Sequence, residues 1–184
     1  KSYGVASYLV QRGMTEATRI LCAKETQNSL ADSALAIMKR VIKDYGLEAA
    51  FRPTKQGLYC LVTGTDYIFR GLQHPERIKS LEGIKYAWVE EAQKVTSEAW
   101  EVLIPTIRDE ESEIWVTFNP DREDDPAYQM FVAHPREDAE IVKINWYDNW
   151  WFPDVLKQEL EWDRKVDTDK YQHIWEGHCR SFSE

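Results

Sequence analysis

Apolar positions along the chain fall into two periods. In Ser2 to Gly13, Val5, Ala6, Leu9 and Val10 recur at helical spacing, and Gly13 is placed as the C′ stop of that helix. Arg19 to Ala23 is a short apolar run, the pattern of a buried strand. Asn28 or Ser29 can cap a long helix reaching Tyr45, with Leu30, Ala34, Ile37, Met38 and Val41 on one face and Gly46 ending it. From Ala49 to Leu72 the period shortens to two: Tyr59, Leu61, Tyr67 and Phe69 alternate with other residues, and Thr63-Gly64-Thr65 breaks the run, as in a β-hairpin or meander.

Pro75 then opens a short helix followed by Gly83. Tyr86–Val89 and Glu113–Phe118 read as buried strands, with a helix starting at Thr96-Ser97-Glu98 between them. Strands alternating with crossover helices imply an α/β fold around a mainly parallel sheet, with the two strands neighbouring at its centre. Beyond Asn119-Pro120 lies an acidic loop, Asp121 to Asp125. A short helix from Pro126, a strand Ile141 to Asn145, and helices from Pro153 and Asp167 complete the expected elements.

Composition narrows the classes. The 184 residues carry a net charge of −9, which argues against a surface that grips nucleic acid everywhere and leaves room for a local basic stripe. No apolar run is long enough to span a membrane, and no leader resembles a signal peptide. Cys22, Cys60 and Cys179 are too few and scattered for a disulfide framework or zinc cage, and fit a reducing, intracellular setting. The eight tryptophans are read first as packing residues and second as base-stacking ones.

Three constellations carry candidate chemistry. Lys1-Ser2 opens an amphipathic helix, as do the last two residues of a Walker A loop, GxxxxGK[ST]. There the lysine reaches the β/γ-phosphates, the hydroxyl ligates Mg²⁺, and the helix start offers N–H donors. Alone, the pair reads first as an arbitrary boundary. Next, Tyr86-Ala87-Trp88-Val89 delivers Glu90 and Glu91 at the carboxyl end of a buried strand, where α/β sheets bind ligands. The first acid would hold a cation shell and the second would activate water, two tasks that one carboxylate cannot share. A solvated acidic turn has the same pattern. Finally, Trp115-Val116-Thr117-Phe118-Asn119-Pro120 ends a strand in a hydroxyl and an amide, which on its own reads first as an Asn-Pro turn and second as a γ-phosphate sensor. The order of the three is that of the additional-strand (ASCE, RecA-like) P-loop NTPases.

More specific stretches follow. Ile78-Lys79-Ser80-Leu81-Glu82-Gly83-Ile84 runs into Val89-Glu90-Glu91-Ala92, then Ile104-Pro105-Thr106-Ile107-Arg108, then Ser112-Glu113-Ile114-Trp115-Val116 and Phe118-Asn119-Pro120. Together with Arg19-Ile20-Leu21-Cys22-Ala23, Gln27-Asn28-Ser29 and His173-Ile174-Trp175-Glu176-Gly177, these resemble the N-terminal ATPase domain of tailed-phage terminase large subunits, in the branch with a Glu-Glu Walker B. The resemblance covers nearly the whole chain. It implies an ATPase domain over 1–177 with a β-hairpin insertion near 49–72, and a linker at 178–184 towards a nuclease domain outside this chain. It implies a glycine turn immediately before Lys1.

The implied activity is ATP hydrolysis driving double-stranded DNA into a procapsid. ATP would lie on Lys1, Ser2, Thr117 and Asn119, and Mg²⁺ on Ser2 and Glu90. Glu91 and Glu90 would be catalytic, with Arg108 supplied in trans and Arg122 as the alternative finger. Implied partners are DNA, the portal protein, the terminase small subunit and further copies in a ring, in the host cytoplasm and transiently at the portal. A helicase-like ATPase on the same core, or a P-loop assembly module without turnover, are the competing readings. The Asp121–Asp125 loop is read as a solvated loop rather than a metal site.

Overall fold

The structure, a computed structural model, describes residues 1–26 and 33–180. It divides into two compact units, Lys1–Phe118 and Asn119 onward. Residues 1–177, expected as one ATPase domain, thus include parts of both units.

The first unit holds a six-stranded sheet. Its elements are α1 (Ser2–Thr15), β1 (Arg19–Lys24), α2 (Ala34–Asp44), β2 (Phe51–Pro53), β3 (Gly57–Cys60), β4 (Asp66–Gly71), β5 (Ile84–Glu90), α3 (Ser97–Thr106) and β6 (Glu113–Thr117). Strand order is β2-β3-β4-β1-β5-β6. β1 pairs in parallel with β4 and β5, and β5 in parallel with β6, while β2-β3-β4 form an antiparallel meander at one end. The expected hairpin and the α/β architecture are both present. β5 and β6 are parallel neighbours as expected, but β6 is the edge of the sheet rather than its centre. The half-buried character of Glu113–Val116 follows from that position.

The central strands bury both faces, as parallel strands under crossover helices do. Ile20 and Cys22 of β1, Tyr67 and Phe69 of β4, and Tyr86 and Trp88 of β5 share one core with Val5, Leu9 and Val10 of α1 and Met38, Val41 and Ile42 of α2. The alternate positions Leu21, Ala23, Ile68, Ala87 and Val89 are buried as well. α3 starts where expected, with the Thr96 hydroxyl accepting the Ala99 N–H at 3.3 Å. α2 ends as expected at Tyr45, with Gly46 at φ 67°. The proposed caps Asn28 and Ser29 lie outside the described residues. Cys22 and Cys60 are buried in the sheet, and Cys179 is partly exposed in the second unit.

Gly13 corrects the sequence reading. α1 runs on to Thr15, so Gly13 is inside the helix, not its stop. A Cβ there would overlap the Tyr67 hydroxyl. Glycine is required because the Tyr67 ring lies against the helix backbone, its hydroxyl donating to the Leu9 carbonyl at 2.9 Å.

The second unit has a short helical turn at Pro126–Tyr128 that widens into a π-turn over Gln129–Ala133, then α4 (Asp154–Val166) and α5 (Thr168–Ile174). Among its described residues the buried apolar side chains are Ala127, Leu160 and Tyr171. Asp163, also buried, accepts Lys170 Nζ at 2.6 Å and Trp175 Nε1 at 2.9 Å. The strand expected at Ile141–Asn145 is absent: the segment is irregular, and Ile141, Val142 and Ile144 are all at least half exposed. A β-branched stretch makes a strand only when a neighbour supplies the ladder, and among the described residues none does.

Candidate functional site

The parallel strands β1, β5 and β6 end together, and their carboxyl ends carry the polar groups. β5 is buried along nearly its whole length, so its last residue Glu90 is carried into the protein at 6% exposure. Its Oε2 is buried and has no hydrogen-bond partner. The strand register sets Glu90 beside Thr117 of β6. Thr117 is buried too, and its hydroxyl accepts the Trp88 indole N–H at 3.0 Å, which leaves its own proton to donate.

Glu91 follows with its backbone in the left-handed region, φ 50° and ψ 47°. A non-glycine residue there is under strain of about 1–2 kcal/mol, so the turn is over-determined by its surroundings. Those surroundings include two ammonium groups. Lys24 Nζ lies 2.8 Å from Glu91 Oε1, and Lys94 Nζ lies 2.8 Å from Oε2. Hydrogen bonds from Lys24 and then Lys94 hold the Glu91 carboxyl below the ordinary glutamate value, against a smaller opposing effect of burial.

Lys24 was not identified from the sequence. It is the last residue of β1, its side chain is 7% exposed, and it also donates to Ser33 Oγ at 3.2 Å. The signal was present: a lysine closing the five-residue run Arg19-Ile20-Leu21-Cys22-Ala23 is delivered to the same sheet edge as Glu90. Cys22, two residues earlier, has its thiol raised by burial and then by the Glu90 charge, so it is inert.

Lys1 stands at the N-cap of α1, and Ser2 is the first helical residue. Lys1 Nζ donates to the Phe118 carbonyl at 2.5 Å, just past the end of β6, and desolvation holds its ammonium below the ordinary lysine value. The start of a 14-residue helix and the end of β6 therefore meet. Asn119 follows as the first residue of the second unit, joined through the peptide whose carbonyl Lys1 contacts.

Arg108 is elsewhere. It is exposed and lies 3.8 Å from Glu82 Oε1. Glu82 precedes β5, and its carbonyl accepts Arg19 at the start of β1, so this is the amino edge of the sheet. The seven residues of β5, at ~3.3 Å each, put roughly 20 Å between Arg108's edge and Glu91. In the second unit Arg122 pairs with Asp124 at 3.0 Å. Asp125 accepts the Arg122 N–H at 2.9 Å, and Asp121 takes Arg180 at 2.7 Å.

No group of three or more metal-ligating side chains occurs among the described residues. The oxygen donors nonetheless fit a hard cation of the Mg²⁺ type, which takes one or two protein oxygens and fills its shell with phosphate and water. Glu90 offers a buried carboxylate oxygen with no other partner.

Comparison with known proteins identifies a family. The profile described as "Phage terminase large subunit" matches residues 1–178. The chain is 27% identical to the PBSX phage terminase large subunit of Bacillus subtilis (strain 168), covering 96% of this chain and 46% of that one. Among solved structures it resembles the large terminase of a thermophilic bacteriophage in complex with ADP. There the TM-score is 0.75 at 15% identity, over 94% of this chain and 44% of that one. It also resembles the Thermus phage P74-26 large terminase ATPase domain, with TM-score 0.63 at 11% identity over 96% of this chain and 83% of that one. The chain thus spans under half the length of the PBSX protein and of the ADP-bound terminase. The structural likenesses bear on the fold, which is the RecA-like P-loop architecture.

Proposed function

Because the chain belongs to the phage terminase large subunit family, matched over residues 1–178, we propose that it is the ATPase core of a motor that packages double-stranded DNA. The observation that carries the proposal is one sheet edge. Glu90 is buried there with an unpartnered oxygen, Glu91 is strained and clamped, and Lys1 sits on the carbonyl beyond β6.

Lys1 would neutralise the β/γ-phosphates of ATP, and Ser2 with the first N–H groups of α1 would complete their cradle. The ADP bound to the thermophilic phage's large terminase supports this assignment by kinship. Glu90 and the Ser2 hydroxyl would hold Mg²⁺, whose contribution is to neutralise charge between phosphate oxygens. Thr117 has a proton to donate towards a phosphate oxygen, and Asn119 an amide.

Glu91 is the general base. Two ammonium partners keep it ionised and also keep it weakly basic. Loosening the Lys24 contact would raise its affinity for the proton of an attacking water. Arg108, at the amino edge and away from its own Glu91, suits supply to a neighbouring copy, with Arg122 as the alternative. The partners follow from kinship: duplex DNA, the portal protein, the small subunit and further copies in a ring, in the host cytoplasm and at the portal. The segment after Gly177 would lead to a nuclease domain.

The test is substitution at the acids, in protein carrying the glycine turn expected before Lys1. Glu91→Gln should keep ATP binding and lose hydrolysis by ~10² or more. Glu90→Gln should also weaken Mg²⁺-dependent binding. Turnover by Glu91→Gln at the unsubstituted rate would remove the assignment and favour an assembly module.

A further inference from the structure

A cluster of basic side chains stands at the carboxyl end of β4, away from the Lys1 site. β4 ends at Gly71, and the chain then turns through Pro75–Arg77. That turn is pinned: Leu72 N–H donates to the Lys24 and Glu25 carbonyls at 2.9 and 3.1 Å, and Gln73 N–H to Glu25 at 3.0 Å. Leu72, Pro75 and Ile78 are buried beneath it. On this base Arg70, Gly71, Gln73, His74 and Arg77 surround a hollow of about 260 Å³.

Among the described residues no acid lines the hollow. Neither Arg70 nor Arg77 forms an ion pair among the described residues, and Arg70 is steadied by donating to the Phe69 carbonyl at 2.9 Å. His74 lies 3.9 Å from Glu76. In a chain of net charge −9, two guanidinium groups around one hollow make a local site able to take an anion. Paired arginine forks match phosphate oxygens.

Size and place select the phosphate. Pockets that bury a drug-sized ligand run from ~300 Å³ upward, so a hollow of about 260 Å³ has ample room for a phosphate group. It stands at the end of β4, three strand spacings from β6, where Lys1 sits. At ~4.8 Å per spacing that is ~14 Å, beyond the Lys1 site.

We propose that Arg70, Gln73, His74 and Arg77 form a phosphate pocket that grips the backbone of duplex DNA. This takes its ligand from the motor function proposed above. A terminal phosphate of a nucleotide shares the same chemistry, and the experiment separates the two. Binding of a short fluorescent DNA duplex by the purified protein is measured against salt, alongside binding of a fluorescent ATP analogue.

Arg77→Ala should weaken duplex binding several-fold for unrelated sequences alike and lower the slope of log K against log salt by ~1. Arg70→Ala with Arg77→Ala should lower it by ~2. ATP-analogue affinity should not change, and Arg77→Lys should keep most of the slope while losing part of the affinity. Arg77 is exposed, so its variant tests the site even if Arg70→Ala fails to fold. Unchanged duplex affinity and slope in Arg77→Ala overturn the proposal. So does a loss confined to the ATP analogue, which would make the hollow a nucleotide site. If Glu91→Gln still hydrolyses ATP, the motor assignment fails whatever the duplex does. If Glu91→Gln is inactive and Arg77→Ala binds duplex normally, only the pocket falls.

Discussion

Removing Lys24 and removing Glu91 should have very different costs, although each breaks the same 2.8 Å pair. The Lys24 side chain is 7% exposed and the Glu91 side chain 38%. Lys24→Met takes a charge out of the interior, and with it a desolvation penalty of several kcal/mol. Glu91 keeps Lys94 and can turn to water, so the net loss should be about 0–1 kcal/mol, as for a surface pair.

Glu91→Ala instead strands the Lys24 ammonium beside the Ser33 hydroxyl. An uncompensated buried charge costs ~3–5 kcal/mol. Water entering the vacated space and the Ser33 hydroxyl should bring that to roughly 2–3 kcal/mol. The double variant should then be more stable than Glu91→Ala alone by ~1–2 kcal/mol, because the stranded charge is gone. Urea unfolding with an unchanged slope measures all three. Equal losses for the two single variants, or a double variant no better than Glu91→Ala, would refute the reasoning.

Gly13→Ala should cost ~1–3 kcal/mol through overpacking against Tyr67. Adding Tyr67→Phe should recover only part, since the Tyr67 Cζ would still lie 2.6 Å from the new methyl; thermal melts decide this. Asp163 has its carboxyl lowered by Lys170 and then by Trp175. A lowered folded value stabilises above the ordinary aspartate range and is lost as pH falls through it. The stability gap between the unsubstituted protein and Asp163→Asn should therefore be flat at neutral pH and close below about pH 4, as followed by acid titration of unfolding. Arg108→Ala and Arg108→Lys should abolish packaging-stimulated hydrolysis and leave the basal rate within a few fold. Mixing Arg108→Ala with Glu91→Gln should restore part of the stimulated rate, and no recovery would place the residue's role in cis or in structure alone.

Much of this molecule was legible because burial writes itself into short apolar runs. β1 and β5 are legible that way, and so is the pair of acids that closes β5 at the candidate site. The same rule misled at Ile141–Asn145, where an apolar, β-branched stretch was present and, among the described residues, a partner strand was not. It misplaced β6, because an edge strand and a central one differ in neighbours rather than in pattern. Gly13 looked like a stop because the Tyr67 hydroxyl that requires it is far away in sequence. Lys24 escaped because a lysine is expected to be solvated, and only the fold reveals that its strand end carries it inward to Glu91.

The burial of Cys22 and Cys60, with Cys179 partly exposed, has a practical consequence. Three thiols in three settings, one partly exposed, one buried in the meander and one buried in the central strands, form a clock that needs no engineering. An alkylating reagent added to the native protein should mark Cys179 first. Cys60 should follow when the meander frays, and Cys22 only when β4, β1 and β5 part, at rates that report each opening equilibrium. Because Cys22 lies two residues from Lys24, its protection reads the integrity of the same strand that presents the clamp on Glu91.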